Sequence, residues 1–185
     1  MRPAARPRIR PMRSRDLPRV STMEVACFGA EAWPREAFRD LLRAFAQARP
    51  SRGGLWVAEE PRTGEVVGYV GVELSALRGE MDLINIAVAP ERRRQGVGGL
   101  LLARVLRHCR RQGVPLLWLR VRASNRGARV FYRRLGFQTR GRFGGYYQAP
   151  DEAAIIMARD MGPGPIYGGC DRSQTDPAQT VGGSA

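Results

Sequence analysis

The sequence contains no lysine, so all 31 of its permanently basic residues are arginine. Against 17 acidic residues they give a net charge of +14 at pH 7. Such an excess attracts polyanions, for example phosphorylated cofactors or ribosomal RNA. The arginines are spread along the chain and do not alternate with aromatic residues, so nucleic-acid binding is not expected as the main function. The codon bias of a GC-rich genome is the simpler explanation of the missing lysine.

Cysteine and histidine are also scarce, which argues against a metal centre. Cys27, Cys109 and Cys170 are far apart and form no C-x-x-C pair, so neither a zinc site nor a redox motif is expected. The single histidine, His108, lies in an arginine-rich stretch and is predicted on a solvated helix face. Reduced thiols and no metal are the expectation, as in a cytoplasmic protein.

Long apolar runs are absent as well. No stretch approaches the roughly 18 apolar residues that span a bilayer, and no apolar segment follows the basic N-terminus, so neither membrane insertion nor secretion is expected. A chain of 185 residues suits one domain. We predict a flexible basic N-terminus over 1–7, a folded domain over 8–161, and a disordered tail over 162–185, which is rich in Gly, Pro, Ser and Thr.

Hydrophobic periodicity predicts alternating helices and strands within that domain. In chain order the predicted elements are a helix capped by Asp16, a helix after Trp33, strands in "GLWVAEE", "EVVGYVGVEL" and "MDLINIAVAP", a helix from Val97 to Gln112, a strand in "VPLLWLRV", a helix in "RGARVFYRRL", and strands in "FQTRGRFGGYYQ" and "EAAIIMARDM". This order describes a mixed α/β domain of two leading helices and a sheet with a β-α-β crossover at its centre.

The segment "RRRQGVGG", Arg92 to Gly99, joins a predicted strand to the N-terminus of a helix. Its glycines allow backbone N–H groups to surround an anion, and the helix dipole adds to the attraction. The segment is neither a P-loop, which needs G-K-[ST], nor a dinucleotide-binding G-x-G-x-x-G. Taken alone, it is a weak indication of phosphate binding.

"RRQGVG" matches the pyrophosphate signature [QR]-x-x-G-x-[GA] of the GNAT acetyltransferases, and "INIAVAPERRRQGVGGLLL" resembles the strand, loop and helix around it. "LWLRVRASNRGARVFYRRLGF", "YYQAPDEAAIIMARDM" and, more loosely, "CFGAEAWPREAF" resemble the ribosomal-protein-alanine N-acetyltransferases of the RimI type. The resemblance implies a GNAT fold, with a mixed sheet, helices on both faces, and two parallel strands that splay around an acetyl-CoA site.

The resemblance further implies which residues bind acetyl-CoA. The backbone of one strand is expected to pair with the pantetheine arm, the loop to hold the pyrophosphate, and Asn125 to contact the arm near its thiol. Tyr132 matches the tyrosine that protonates the departing thiolate, although a core aromatic is the alternative. The implied cofactor-binding residues are Ile86, Ala87, Val88, Arg93, Arg94, Gln95, Gly96, Val97, Gly98, Gly99, Asn125 and Tyr132.

Arg120 departs from the family pattern, because the RimI type has a glutamate there that is proposed to deprotonate the attacking amine. Arginine cannot act as a general base. Glu80 and Glu73 are the favoured replacements, ahead of Asp82, Asp151 and Glu152. The alternative is that these acids simply pair with arginines.

The acceptor decides how much a missing base costs, since the attacking amine must be neutral. At pH 7.5 selecting the neutral form costs about 0.6 kcal/mol for a protein α-amine and about 4 kcal/mol for a lysine. We therefore expect a protein N-terminus as acceptor, with a ribosomal-protein alanine favoured. A GNAT enzyme of a small-molecule amine, or a catalytically weak acyl-CoA-binding regulatory protein, are the alternatives.

The acceptor side of the predicted cleft has its own candidates. Arg120 and Arg122 share a strand face and, with Tyr146 and Tyr147, are expected to bind the acceptor. Alternatively, Arg122 is solvated and Arg120 pairs with Glu73 or Glu80. A weak contact with ribosomal RNA through the basic surface, no membrane partner, and a monomer or homodimer complete the expectations.

Overall fold

The fold is that of a computed structural model, which describes residues 6–47, 53–75, 77–148 and 150–162. The predicted flexible N-terminus and disordered tail lie almost entirely outside these residues. Within them no helix is long and apolar enough to cross a membrane. Cys27 and Cys109 are free thiols, and burial raises the pKa of Cys109 to about 12.

Four helices and seven strands make up the described part of the chain, which confirms the predicted mixed α/β class. The helices are α1 (Leu17–Phe28), α2 (Arg35–Gln47), α3 (Val97–Gln112) and α4 (Arg126–Arg134). The strands are β1 (Arg8–Pro11), β2 (Gly53–Glu59), β3 (Val66–Ser75), β4 (Glu80–Val88), β5 (Leu116–Arg122), β6 (Gln138–Gln148) and β7 (Asp151–Asp160).

The strands form one sheet in the order β1-β2-β3-β4-β5-β7-β6. Only the β4–β5 pair is parallel, and α3 is its crossover connection, as the sequence predicts. Every other neighbouring pair is antiparallel. Because the single parallel pair is central, the alternation of strand direction that runs through the rest of the sheet is interrupted between β4 and β5.

The prediction that two helices precede the first strand is wrong, because β1 comes before α1. This strand has four residues and ends at Pro11, so it is too short for an alternating pattern to be read from sequence. A buried arginine, Arg10, holds the strand in place by pairing with Asp16, Nη1 to Oδ2 at 2.7 Å, and with Glu59 of β2. Asp16 stands at the N-cap position of α1 but makes no side-chain cap, since its carboxylate binds Arg10.

Two apolar cores cover the two faces of the sheet. On one face α3 and α4 pack against β2, β3, β4, β5 and β7, with Leu101, Leu117 and Met157 buried. On the other face α1 and α2 pack against β2 and β3, with Phe38 and Tyr69 buried. The gap between β4 and β5 therefore has a helical layer on each face of the sheet.

His108 is not on a solvated helix face, and that prediction is wrong. The residue is 7% exposed, and its ring lies 5.0 Å from the Trp56 ring, centroid to centroid. His108 follows Leu101 and Val105 on the buried stripe of α3, a position that the arginines around it obscure in the sequence. Burial, and secondarily the charges of Arg104 and Arg111, lower the pKa of His108.

A buried carboxylate, Glu24, ties α1 to the sheet. It is fully buried and accepts hydrogen bonds from the Tyr69 hydroxyl, from Asn85 Nδ2 at 2.9 Å, and from the Trp33 backbone N–H at 3.0 Å. These donors belong to β3, to β4 and to the connection between α1 and α2. One side chain thus fixes the helical layer relative to the strand that borders the cleft. Burial is the main cause that raises the pKa of Glu24.

The stability that Glu24 contributes is predicted to depend on pH. Because its pKa is raised in the fold, its contribution is largest below its ordinary value and declines as pH rises through the folded-state pKa. Glu24→Gln can keep all three hydrogen bonds, since the Tyr69 hydroxyl can accept as well as donate. Urea unfolding from pH 4 to pH 8 should show the wild type losing free energy of unfolding relative to Glu24→Gln.

Glu24→Ala is the matched deletion, because it leaves the buried Tyr69 hydroxyl and two partly buried donors, on Trp33 and Asn85, unpaired. It should lose about 3 kcal/mol or more at every pH. A difference between wild type and Glu24→Gln that stays constant across the pH range would contradict the prediction.

Candidate functional site

The cleft arises because β4 and β5 pair over a very short distance. Their parallel ladder contains only Met81 with Leu117 and Asp82 with Trp118. Beyond Asp82 the strands have no paired positions, so the edge of β4 that faces β5 offers backbone N–H and C=O groups without a strand partner. An extended ligand can pair with such an edge as an added strand would.

A β-bulge at Ile84 sets the direction of the open part of β4. In the register with β3, Val72 pairs with Leu83 and Gly71 pairs with Asn85, so Ile84 is the extra residue. A bulge bends its strand and shifts the alternation of side chains. Accordingly Leu83 and, past the bulge, Ile86 contact the core of α3 and α4, whereas Ala87 contacts the core of α1 and α2. The bulge thus bends β4 beside the point where the β4–β5 ladder ends.

The phosphate-type loop follows β4 and has an unusual backbone. Arg94 has a φ of 62° and is the non-glycine residue with positive φ among those described, and Gly96 has a φ of 83°. Left-handed residues within a short turn direct successive N–H groups to one side, which forms an anion-binding concavity. The 16-residue helix α3 begins at Val97 and adds the positive end of its dipole.

The side chains of this loop fold back against the protein. Arg93 donates from Nε to the Val88 carbonyl oxygen at 3.2 Å and contacts Cys27 Sγ at 3.2 Å, and Gln95 Nε2 donates to the Glu91 carbonyl oxygen at 3.0 Å. The backbone N–H groups and the exposed Arg94 side chain are therefore the donors that this loop offers to an anion.

Gly98 faces α4. A Cβ there would make an ordinary contact, at 3.4 Å, with the partly buried ring of Phe131. A Cβ at Gly99 would meet no atom within 4 Å. A cavity of about 430 Å³ flanks the loop from Gln95 to Val97 on the side of Arg6 and Arg92, and none of its lining residues belongs to β5. The cavity is thus separate from the cleft between β4 and β5.

Tyr132 lies on α4 with 6% of its surface exposed. Its ring packs against Phe131 and Phe137, with centroids 5.3 and 5.6 Å away. Burial raises the pKa of Tyr132 well above its ordinary value, so the hydroxyl keeps its proton at neutral pH. The two interpretations of Tyr132, a proton donor and a core aromatic, are therefore compatible with the same buried ring.

Asn125 has a local role that the sequence analysis missed. It is the N-cap residue of α4, and its Oδ1 accepts a hydrogen bond from the Ala128 N–H at 3.0 Å. The predicted contact with the pantetheine arm stays a prediction. The cap fixes Asn125 where β5 ends and α4 begins, at the open end of the cleft.

Arg120 pairs with Asp82 and with neither of the two glutamates expected. The shortest distance, Arg120 Nη1 to Asp82 Oδ1, is 3.6 Å, and this oxygen is buried without a hydrogen-bond partner. Arg78 contacts Asp82 at 2.8 Å and Glu80 at 3.1 Å. Glu80 also accepts a 2.7 Å hydrogen bond from Trp118 Nε1. The acids at the start of β4 are therefore engaged with arginines and with an indole of β5.

Arg122 is not solvated, and that alternative is wrong. Its guanidinium pairs with Glu31 in the connection between α1 and α2, and with Glu152 of β7 at 2.9 Å. It also lies 4.2 Å from the ring centroid of Tyr147 on β6. We call Arg122, Glu31, Glu152 and Tyr147 the Arg122 clamp. The clamp joins β5 to the α1–α2 connection and to the hairpin of β6 and β7.

The two predicted acceptor-side tyrosines lie at the clamp. The rings of Tyr146 and Tyr147 are 5.0 Å apart in an edge-to-face arrangement. Burial is the main cause that raises the pKa of Tyr147 to about 12, so this hydroxyl remains a hydrogen-bond donor at neutral pH. The structure thus brings Tyr146, Tyr147 and Arg122 together, whereas Arg120 lies apart from them, paired with β4.

The sequence pattern of the acetyltransferase (GNAT) family matches residues 17–137, which include α1, the cleft, the loop and α4. The chain belongs to the GNAT family. This membership and the predicted fold are confirmed.

The chain is also similar to particular members of the family. The [ribosomal protein bS18]-alanine N-acetyltransferase of Escherichia coli is 46% identical over 81 residues, 43% of this chain and 55% of that enzyme, so this match spans about half of the relative's length. The N-alpha-acetyltransferase RimI of Mycobacterium tuberculosis is 32% identical over 151 residues, 80% of this chain and 88% of that protein. The predicted resemblance to the RimI type is thus confirmed.

A solved structure gives the same result. The crystal structure of the ribosomal-protein-S18-alanine N-acetyltransferase from Escherichia coli superimposes with a TM-score of 0.70 at 30% identity, covering 86% of this chain and 97% of that one. The GNAT fold therefore extends well beyond the segment of highest sequence identity.

The contribution of the loop backbone can be tested at Gly96. Gly96→Ala places a Cβ in open space but in a left-handed conformation, which costs about 1 kcal/mol, and it should weaken anion binding at the same time. Gly99→Ala is the control, since its Cβ is equally free but its backbone is helical. Urea unfolding should show destabilisation for Gly96→Ala alone. Equal behaviour of the two variants would contradict the strained-loop interpretation.

Proposed function

We propose that the protein is an acetyl-CoA-dependent N-acetyltransferase that acetylates a protein N-terminal α-amine in the cytoplasm, with a ribosomal-protein alanine as the acceptor. The observation that carries the proposal is the two-residue β4–β5 ladder, which opens a strand edge next to the N-terminus of α3. The names of the relatives supply the acceptor class: the Escherichia coli enzyme acts on bS18 alanine.

The residues of the cleft fit acetyl-CoA. The free edge of β4 at Ile86, Ala87 and Val88 suits the amide-rich pantetheine arm, and the N–H groups of residues 94–99 suit a pyrophosphate. Acetyl-CoA would supply an activated thioester carbonyl at the inner end of the arm. The position of Asn125 at the open end of the cleft supports the contact proposed for it.

The acceptor is proposed to enter from the face that carries the Arg122 clamp. This clamp holds the α1–α2 connection against the hairpin of β6 and β7, and these segments border the cleft on the side opposite α3 and α4. Tyr146 and Tyr147 offer hydroxyl groups and ring edges to an extended peptide. We propose that Arg122 acts mainly by positioning these segments.

Direct transfer in a ternary complex is the proposed reaction. The neutral amine nitrogen attacks the thioester carbonyl carbon, the carbon–sulfur bond breaks, and the sulfur takes a proton from the Tyr132 hydroxyl. The amine proton leaves to water, with Glu80 as the protein group that could receive it. Glu80 is better placed than Glu73, because it contacts Trp118 of β5, whereas Glu73 is exposed on β3.

Tyr132→Phe is predicted to separate catalysis from binding. The substitution removes the hydroxyl but keeps the buried ring, so acetyl-CoA affinity should change less than threefold while kcat falls about 10²-fold or more. The measurement is CoA release, followed with DTNB, on a peptide carrying the bS18 N-terminus, with a lysine peptide and small amines for comparison. An unchanged kcat would reject the acid role of Tyr132. Acetyl-CoA binding without turnover on any amine would reject the proposed activity.

The pH profile of kcat/KM is predicted to follow the acceptor's own titration. An α-amine supplies its neutral form with an apparent pKa of about 7.8, and Arg120 cannot assist as a base. Glu80→Gln and Glu73→Gln, each a neutral isostere, should lower the rate less than tenfold without changing the profile. A second, lower pKa that disappears in Glu80→Gln would show that Glu80 is an obligatory base.

A further inference from the structure

Acidic residues are absent from one long segment of the chain. From Arg92 to Pro150 the sequence has 15 arginines and neither aspartate nor glutamate. All 17 acidic residues lie outside this segment. The segment forms α3, β5, α4 and β6, so these four elements carry no carboxylate, whereas β7, which lies between β5 and β6 in the sheet, carries Asp151, Glu152 and Asp160. The arginines are spread along the whole chain, but the acids that could neutralise them are not.

The C-terminal ends of α3 and α4 bring part of this charge together. Arg159 of β7 lies between them, because it donates a hydrogen bond to the Leu135 carbonyl oxygen at the end of α4, and it interacts electrostatically with Arg110 of α3. We call this group the arginine patch. Its members are Arg107, Arg110, Arg111, Arg133, Arg134 and Arg159.

The arginines of the patch differ in their partners from three other arginines of the same acid-free segment. Arg92, Arg120 and Arg122 each pair with a carboxylate of another segment. In contrast, the five patch arginines on α3 and α4 are exposed, and none forms an ion pair with any described residue. Their charges are therefore free to bind an external anion.

Helix dipoles account for only some of this arrangement. Arg110, Arg111, Arg133 and Arg134 stand in the last turns of their helices, where a positive charge gains about 0.3–1 kcal/mol. This effect favours arginine at those positions. It does not account for the exclusion of every acid from Arg92 to Pro150, on both helices and two strands.

The surroundings of the patch indicate which polyanion it suits. The large exposed apolar residues among those described are Val25, Phe28, Leu77, Val130 and Phe143; α3 carries none of them, and Val130, one turn before Arg133 and Arg134, is a single small apolar side chain on α4. A membrane surface needs apolar side chains beside the basic ones, and unpaired bases need aromatic rings for stacking. Arginine forks bind phosphate oxygens bidentately. The patch has the chemistry to bind a phosphate backbone.

We propose that the arginine patch binds the phosphate backbone of double-stranded RNA, without reading its sequence, at a site separate from the acetyl-CoA cleft. The choice of RNA over DNA rests on the proposed ribosomal acceptor, whereas the patch itself does not. Such binding would hold the enzyme beside an acceptor chain that lies on an RNA surface.

Fluorescence anisotropy with a labelled RNA duplex of about 20 base pairs tests the proposal, with KCl varied from about 50 to 200 mM. The patch variant is Arg110→Gln, Arg111→Gln, Arg133→Gln and Arg134→Gln together. The control variant changes Arg8, Arg15, Arg35 and Arg62 to Gln, which are also exposed and lie outside the patch. Both variants remove the same charge, so they separate a local site from the effect of net charge.

The patch variant should bind RNA more than tenfold more weakly than the wild type. The slope of log K against log salt should fall by about two or more, since each lost phosphate contact removes about 0.9. The control variant should stay within about threefold. Equal losses in both variants, or no loss in the patch variant, would overturn the proposal.

Three further measurements test where the RNA binds and whether the patch selects it. Saturating CoA should leave RNA binding unchanged, and displacement would place the RNA on the cofactor loop and overturn the proposal. Vesicles of phosphatidylcholine with phosphatidylglycerol should not bind through the patch, and patch-dependent vesicle binding without RNA binding would indicate a membrane surface instead. Arg→Lys at the same four positions keeps the positive charge and should retain RNA affinity within about fivefold, and a loss as large as that of the glutamine variant would overturn the proposal.

Acetyl transfer to a short peptide distinguishes this proposal from the proposed activity. The patch variant should turn over the peptide at the wild-type rate, because none of its four positions borders the cleft. RNA binding is measured without any acceptor, so a failure of the acetyltransferase assay would leave the RNA result intact. A failure of RNA binding would likewise leave the acetyltransferase result intact.

Discussion

The brevity of the β4–β5 ladder is the constraint on which the rest of the site depends. Two parallel pairs hold the strands together at Met81 and Asp82, and the bulge at Ile84 then bends β4. The sheet remains intact because β4 keeps its ladder with β3, while β5 keeps its ladder with β7. The backbone groups that lack a strand partner are thus confined to one strand edge. The pantetheine arm of the proposed cofactor would pair with these groups.

Ion pairs fix the charged side chains on the face of the sheet that is proposed to receive the acceptor. Arg78 and Arg120 engage Asp82, and Glu80 is held between Arg78 and Trp118. These contacts fix the orientation of both carboxylates at the start of β4. The Arg122 clamp acts at a longer range, since it joins the α1–α2 connection to the final hairpin across the sheet. The arginines around the cleft therefore organise its walls, whereas those of the arginine patch have no carboxylate to organise.

The helices and strands were predicted well because hydrophobic periodicity and glycine positions are local features of the sequence. The bounds of α3 follow from a continuous apolar stripe that ends before Gly113, and the loop follows from its glycines. The sequence did not predict β1, whose few residues are held by Arg10, nor the burial of His108 against Trp56. It also missed Glu31, which pairs with Arg122 across 91 residues of chain. Pairings between distant segments form only in the assembled sheet. The residue type of Arg122 therefore indicated that it binds an anionic group but did not identify its partners.

Arg120 fits an enzyme whose acceptor supplies its own neutral amine. The resemblance to the RimI type implies a glutamate at position 120. In this chain the carboxylate beside that position belongs to Asp82, on the neighbouring strand β4, where β4 and β5 separate. The position next to Arg120 thus holds an ion pair and not a lone acid. In the proposed reaction such a pair offers no group dedicated to taking the proton of the amine. It favours amines that are already partly neutral, and an α-amine meets this condition where a lysine side chain does not.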